Sequence, residues 1–149
     1  MTGLDATMFE RIVVDAPEAI IVADAAGVIR FWNAAAERIF GFAAAETVGQ
    51  TLDLIVPEAQ RVRHWNGYRE VMRTGVTRYG TELLAVPAVR KDGARISVEF
   101  YVVLLRDAAE GVVGIAALLR DVTARWQRER ALQQRLRAAE GGQVDLSRG

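Results

Sequence analysis

The amino-acid sequence predicts an α+β fold, and three observations support this prediction. Alternating apolar residues and turn residues form two blocks, a two-stranded hairpin near the N-terminus and three consecutive antiparallel strands later in the chain. Between the blocks, residues 57–74 have the spacing of one long amphipathic helix. Helical patterns flank both ends. At 149 residues and 51% apolar, the chain has the size of one domain with one core.

The N-terminal block begins with a leader helix over residues 4–15, in which Leu4, Met8 and Ile12 are spaced for one helix face. A hairpin follows, because Asp24 to Gly27 supplies turn residues between two apolar runs. Asn33 is placed to cap a helix that Gly41 ends. The predicted elements are strands 19–23 and 28–32 and helices 34–40 and 43–47.

The C-terminal block contains strands over 77–90, 95–106 and 112–121, separated by turns at 91–93 and 107–111. The middle strand alternates apolar residues with Ser97, Glu99 and Tyr101, which predicts one continuous apolar face: Ile96, Val98, Phe100, Val102 and Leu104. From Val122 the pattern is helical, and Gly141-Gly142 is expected to end that helix. We divide the chain into a leader helix at 1–16, a core at 17–121, an exit helix at 122–140 and a flexible tail at 141–149.

Composition excludes several classes of function. Basic and acidic residues balance at 19 each, so no overall field draws the protein to nucleic acid or to an anionic membrane. The arginines of the exit helix alternate with Glu and a thin apolar seam, which favours a solvated helix or short coiled coil over a nucleic-acid contact. No apolar run is long enough to span a membrane, and we expect a cytoplasmic protein.

The sequence also argues against an enzyme. The absence of Cys rules out disulfides, thiolate catalysis, iron–sulfur clusters and Cys-based zinc sites. There is no Gly-rich phosphate loop, no Ser/His/Asp arrangement in a plausible context and no paired metal-ligand motif. We therefore expect a binding or signalling module.

Five short motifs occur in an order that resembles the PAS domains of the bacterial S-box type. They are Asp24-Ala25-Ala26-Gly27, Trp32-Asn33, Gly41-Phe42, Arg90-Lys91-Asp92-Gly93 and Arg120-Asp121-Val122-Thr123. The resemblance covers residues 6–138. It implies a five-stranded antiparallel sheet with helices on one face, a ligand or an empty core between them, and signalling through the flanking helices, often in a dimer.

His64 is the only histidine of the chain and lies on the long helix. Neutral histidine is a common ligand of haem iron. Arg63-His64, a following Tyr and Thr74 ten residues after His64 are similar to the haem-binding PAS domains of rhizobial oxygen-sensor kinases. This resemblance implies haem b with His64 as the iron ligand, whereas the alternative is an ordinary helix histidine.

Other residues complete the predicted haem site. Tyr68 and Met72 follow His64 at helical spacing and share its face. The resemblance places Arg78 where a haem propionate would be met, and Leu84 where those kinases have a distal Arg. Because Leu84 cannot donate a hydrogen bond, we expect lower oxygen affinity, with carbon monoxide or nitric oxide relatively favoured. The apolar wall is predicted from the last strands: Val98, Phe100, Val102, Leu104, Ile115 and Ala117.

Three alternatives stay open at this point. Flavin is the runner-up cofactor, although Leu52 occupies the position of the photochemical Cys and Leu119 that of a flavin-contacting Gln. A fatty acid or another apolar ligand is the second alternative, with Arg78 or Arg73 holding its carboxylate. The third is an interaction module without cofactor, which forms a homodimer through the leader and exit helices. The sequence fixes neither the sixth iron ligand nor the gas.

Overall fold

The five predicted strands form a single antiparallel sheet in the order β2-β1-β5-β4-β3. The computed structural model describes residues 3–77 and 83–147. Two short 3-10 turns, Leu52–Leu54 and Glu58–Gln60, precede the long helix. The helices and strands are α1 Ala6–Asp15, β1 Ala19–Asp24, β2 Ile29–Trp32, α2 Ala34–Phe40, α3 Ala44–Thr47, α4 Arg61–Thr74, β3 Leu84–Val89, β4 Arg95–Arg106, β5 Val112–Asp121 and α5 Thr123–Ser147. The predicted α+β fold is confirmed.

The core lies between one face of the sheet and the helices that cover it. Alternate residues of β1, β4 and β5 point to this face, and α2 contributes the fully buried Phe40. The opposite face exposes Tyr101, Val103 and Val113. Pro87 lies in β3, an edge strand, where the missing N–H of proline is tolerated.

Asn33 joins three elements around the hairpin. Its Oδ1 accepts hydrogen bonds from the backbone N–H groups of Ile20 and Ala36, both at 3.0 Å. Its Nδ2 donates to the carbonyls of Val13 and Glu18, also at 3.0 Å. The predicted helix cap is therefore present, and the same buried side chain also fixes the end of α1 against β1.

The predicted boundaries of two elements in the middle of the chain were wrong. The α-helix expected from Pro57 begins at Arg61, because Glu58–Gln60 forms a 3-10 turn first. The strand expected over 77–90 is Leu84–Val89; Thr77, Leu83 and Arg90 lie outside the ladder, and residues 78–82 lie outside the described part. Strand β3 pairs only with β4, so its length is set by that register.

Gly141-Gly142 does not end α5, which continues to Ser147. A glycine inside a helix costs about 1 kcal/mol relative to alanine, and ends the helix only where the backbone turns to the left-handed region. The glycines with positive φ are at positions 27, 41, 49, 75 and 93, so this pair does not make such a turn.

Within residues 3–77 and 83–147, no helix combines the length and apolar character needed to span a bilayer.

Candidate functional site

Helix α4 is attached to the turn between β1 and β2 by two aromatic side chains. The hydroxyl of Tyr68 donates a 2.5 Å hydrogen bond to the backbone carbonyl of Asp24, the last residue of β1. Trp65 packs against Gly27, which has a φ of +79°. Gly75 ends α4 with a φ of +69° and donates its N–H to the carbonyl of Val71 at 2.8 Å. These contacts fix the face of α4 that carries His64.

His64 lies half-buried between these two aromatic residues. Its ring centroid is 4.8 Å from that of Trp65 and 5.9 Å from that of Tyr68. The Nδ1 atom is buried and has no hydrogen-bond partner. Burial lowers the pKa of His64 below its ordinary 6.5, although the nearby carboxylate of Asp53 acts in the opposite direction. The lowered pKa favours the neutral imidazole, the form in which one ring nitrogen carries the lone pair that can bind a metal.

Asp53 and Trp65 contribute to this site, and sequence reasoning did not identify either as part of it. The indole Nε1 of Trp65 donates to Asp53 Oδ1 at 2.8 Å, and Arg61 Nη2 donates to the Asp53 carbonyl at 3.4 Å. Asp53 lies in a 3-10 turn 11 positions before His64 in the chain. The one signal in the sequence was Trp65 next to His64, because the N–H of a buried indole usually has a hydrogen-bond acceptor.

Tyr68 and Met72 belong to the apolar core cluster, and Tyr68 is buried. Burial is the main reason that the pKa of the Tyr68 phenol rises to about 12, and the carboxylate of Asp24 adds to the effect. The phenol is thus neutral and acts as a hydrogen-bond donor at all ordinary pH values. The two residues bring the His64 face of α4 onto the sheet.

The predicted apolar wall lies on the sheet face that α4 covers. Val98, Val102, Ile115 and Ala117 are buried in the core cluster, and the partly buried Phe100 and Leu104 pack against it. Leu84 begins β3 and pairs with Phe100, but its side chain lies outside the described part of the structure. Arg78 lies wholly outside that part. The distal and propionate roles of these two residues therefore stay predictions. No group of three or more His, Asp or Glu suited to a metal occurs among the described residues.

The same sheet is connected directly to α5. The N–H of Val122 donates to the Ser97 carbonyl at 2.9 Å, and the N–H of Ser97 donates to Thr123 Oγ1 at 2.9 Å. Two residues further along β4, the buried Glu99 pairs through Oε1 with Arg125 of α5. Strand β4 thus holds the first turn of the exit helix.

The five-stranded antiparallel sheet with its covering helices defines a class of protein, the PAS sensory modules. A family model described as PAS fold matches residues 14–127, and the chain belongs to this family. A structure of the PAS domain of a Colwellia psychrerythraea protein superposes with a TM-score of 0.70 at 19% identity, covering 79% of this chain and 97% of the other.

Two curated relatives are similar to this chain over more than half of its length. The chain is 29% identical over 121 residues to the sensor protein FixL of Bradyrhizobium diazoefficiens, covering 79% of this chain and 23% of FixL. It is 30% identical over 95 residues to the oxygen sensor protein DosP of Escherichia coli, covering 64% of this chain and 12% of DosP. The chain thus spans less than a quarter of either relative.

A structure of an RNA-binding light-oxygen-voltage receptor is also similar. Its TM-score is 0.73 at 28% identity, and the match covers 90% of this chain and 38% of the receptor.

Proposed function

We propose that this PAS domain binds haem b through His64 and senses a diatomic gas or a redox change, which it passes to its flanking helices. The observation that carries the proposal is the buried, unpaired Nδ1 of a histidine whose pKa is lowered by burial. A neutral imidazole with an unused nitrogen fits the donor chemistry of haem iron. Similarity to FixL and to the oxygen sensor DosP supports the same assignment.

The chain's own residues have distinct parts in this proposal. Trp65 and Tyr68 orient the His64 ring, since both are held by hydrogen bonds to Asp53 and Asp24. Tyr68 packs in the core cluster that includes most of the apolar wall and Met72 packs against it, so a flat macrocycle would have to separate these side chains from the sheet. Bound haem would supply an iron with an open position for a small gas.

We further propose that the domain prefers carbon monoxide or nitric oxide to oxygen. The described wall residues of β4 and β5 have only hydrocarbon side chains: Val98, Phe100, Val102, Leu104, Ile115 and Ala117. Bound oxygen is favoured by a hydrogen-bond donor in the distal pocket, and these side chains offer none. Leu84 at the predicted distal position has the same consequence.

Flavin is the second candidate, and the similarity to the light-oxygen-voltage receptor favours it. Leu119 is buried on the core face of β5, at the position where the family's flavin-binding members have Gln. The chain also has no Cys for a photochemical adduct. Leu119 and the absence of Cys both favour haem over a photoactive flavin.

The decisive experiment is an absorption spectrum of the purified protein, as isolated and after addition of hemin, followed by reduction and exposure to carbon monoxide. We expect a saturable Soret band that shifts on reduction and again with carbon monoxide. His64→Ala should weaken it, whereas Asn66→Ala, an exposed neighbour on α4, should not. Stoichiometric hemin with an unchanged spectrum in His64→Ala would remove His64 from the mechanism, and a flavin spectrum would establish the second candidate.

We also propose that the domain works as a non-catalytic homodimer that uses α1 and α5. PAS signalling through flanking helices needs a partner for those helices, and both expose apolar side chains. Sedimentation equilibrium of the full chain tests this proposal, and a monomer at all accessible concentrations would contradict it.

A further inference from the structure

Two helices of the chain carry apolar stripes that nothing in the described structure covers. In α1 and just before it, Leu4, Met8 and Ile12 are spaced by four residues and are each about half exposed. In α5, Leu132 and Leu136 are 56% and 63% exposed. Stripes of this kind on two helices are typical of helix-packing surfaces.

Both helices leave the sheet at the same end of two neighbouring interior strands. Helix α1 precedes β1 and α5 follows β5, and these neighbouring strands pair Ala19 with Leu119. Glu18 and Arg120, which flank this pair, form an ion pair at the same end of the two strands. Every side chain of α5 from Ala124 to Gly141 is nevertheless exposed, so α1 of the same chain does not cover α5.

The two stripes have opposite charge. Helix α1 with its cap carries Asp5, Glu10 and Asp15 against one basic residue, Arg11. Asp5 and Asp15 are each three residues from Met8 or Ile12, so they lie on the apolar stripe. From residue 123 to 141, α5 carries five arginines against two glutamates.

Two of the α5 arginines frame the apolar stripe. Arg128 and Arg135, together with Ala131 and Leu132, line a shallow groove on the helix surface. Neither arginine has an ion-pair partner among the described residues. The groove therefore offers an apolar centre between two positive charges, which matches the acidic stripe of α1.

We propose that α1 of one copy packs against α5 of a second copy, and that the two-fold axis repeats the contact reciprocally. The proposal rests on the homodimer proposed above and adds which helix meets which. Pairing α5 with α5 would bring Arg128 and Arg135 against their own copies, whereas pairing α1 with α5 joins opposite charges. Each exit helix then contacts the leader helix of the other core.

The chain has no Cys, so single introduced cysteines report proximity cleanly. Met8→Cys and Leu132→Cys, carrying different tags, are mixed as full-length protein and oxidised gently. We expect the mixed disulfide to form at least about tenfold faster than either self-linked species, because a matched contact holds the thiols close. Ala45→Cys, exposed on α3, is the control for random collision.

Other patterns overturn the proposal in distinguishable ways. A dimer in which Leu132→Cys links mainly to itself would establish α5–α5 pairing and leave the homodimer intact. A double variant that links only within one chain would place α1 on its own α5. A monomer would overturn the homodimer as well.

Charge reversal gives a test that does not depend on thiols. Arg128→Glu with Arg135→Glu should weaken dimerisation about tenfold, and adding Asp15→Arg should recover most of the loss. Arg137→Glu, outside the groove, is the matched control. If the added Asp15→Arg weakens the dimer further, α1 does not face these arginines.

Discussion

The ring of Trp65 lies so close to Gly27 that a Cβ there would fall 2.1 Å from Cζ3 of the indole. Gly27 belongs to the turn between β1 and β2, and Trp65 is adjacent to His64 on α4. The glycine therefore allows the close approach that sets the position of the histidine. The turn residue and the candidate cofactor ligand belong to one structural unit.

Gly27→Ala should destabilise the fold and displace Trp65. Two costs add: about 1–2 kcal/mol for alanine at positive φ, and about 1–3 kcal/mol for the overpacked indole. Gly49 is the matched control, because its φ is +93° and a Cβ there meets nothing within 4 Å. Urea unfolding should therefore show a larger loss for Gly27→Ala than for Gly49→Ala. Equal losses would mean that Trp65 moves away at no cost.

Tyr68→Phe should lower the free energy of unfolding by about 1–2 kcal/mol while retaining the ring beside His64. The change removes the donor to the Asp24 carbonyl and leaves that acceptor unpaired. Tyr101→Phe on the exposed sheet face should change stability little. A stability equal to wild type would show that water replaces the phenol at Asp24.

The Tyr68 phenol also predicts the alkaline limit of stability. Because its pKa is about 12 when folded and 10 when unfolded, the contribution of Tyr68 is complete below pH 10 and is lost as the pH rises through 12. Tyr68→Phe should therefore show a weaker loss of stability with rising pH over this range than wild type. Parallel curves for the two proteins would contradict this expectation.

The single histidine makes its own titration directly observable by NMR. Burial lowers the folded-state pKa of His64, so the unfolded chain binds the proton at higher pH than the folded chain. The stability due to neutral His64 is complete above pH 6.5 and is lost as the pH falls through the lower folded pKa. A folded-state pKa at or above that of the urea-unfolded protein would contradict the buried environment.

Arg125→Ala should loosen the first turn of α5. The buried carboxylate of Glu99 already has no hydrogen-bond partner at Oε2. The substitution also removes the ion pair that Arg125 makes with Oε1. Removing one member of a buried ion pair lowers the free energy of unfolding by about 3–5 kcal/mol. Because Arg125 is half exposed, we expect a loss near or below the lower end of that range. Hydrogen exchange at the start of α5 is the measurement, and Arg137→Ala, at an exposed position further along α5, is the control. Unchanged exchange in both variants would show that the Ser97 contacts alone hold the helix.

Much of the fold follows from local patterns in the sequence. The apolar residues at alternate positions of β4, from Ile96 to Leu104, predict which side chains face the core, since a one-residue shift would expose all of them. Asn33 and Gly41 predict the limits of α2, because capping and left-handed termination depend on neighbouring backbone groups. The long helix with His64, Tyr68 and Met72 on one face was likewise predictable from helical spacing.

Tertiary structure decided what no local pattern specifies. Asp53 receives the Trp65 N–H, Asp24 receives the Tyr68 hydroxyl 44 residues away, and Glu99 meets Arg125 only because β4 lies beneath the start of α5. Gly141-Gly142 matched a helix stop by composition, but the chain needs no left-handed turn there and α5 continues. Periodicity thus determined which side chains face the core, whereas packing between distant segments determined their partners, their charge states and the surroundings of His64.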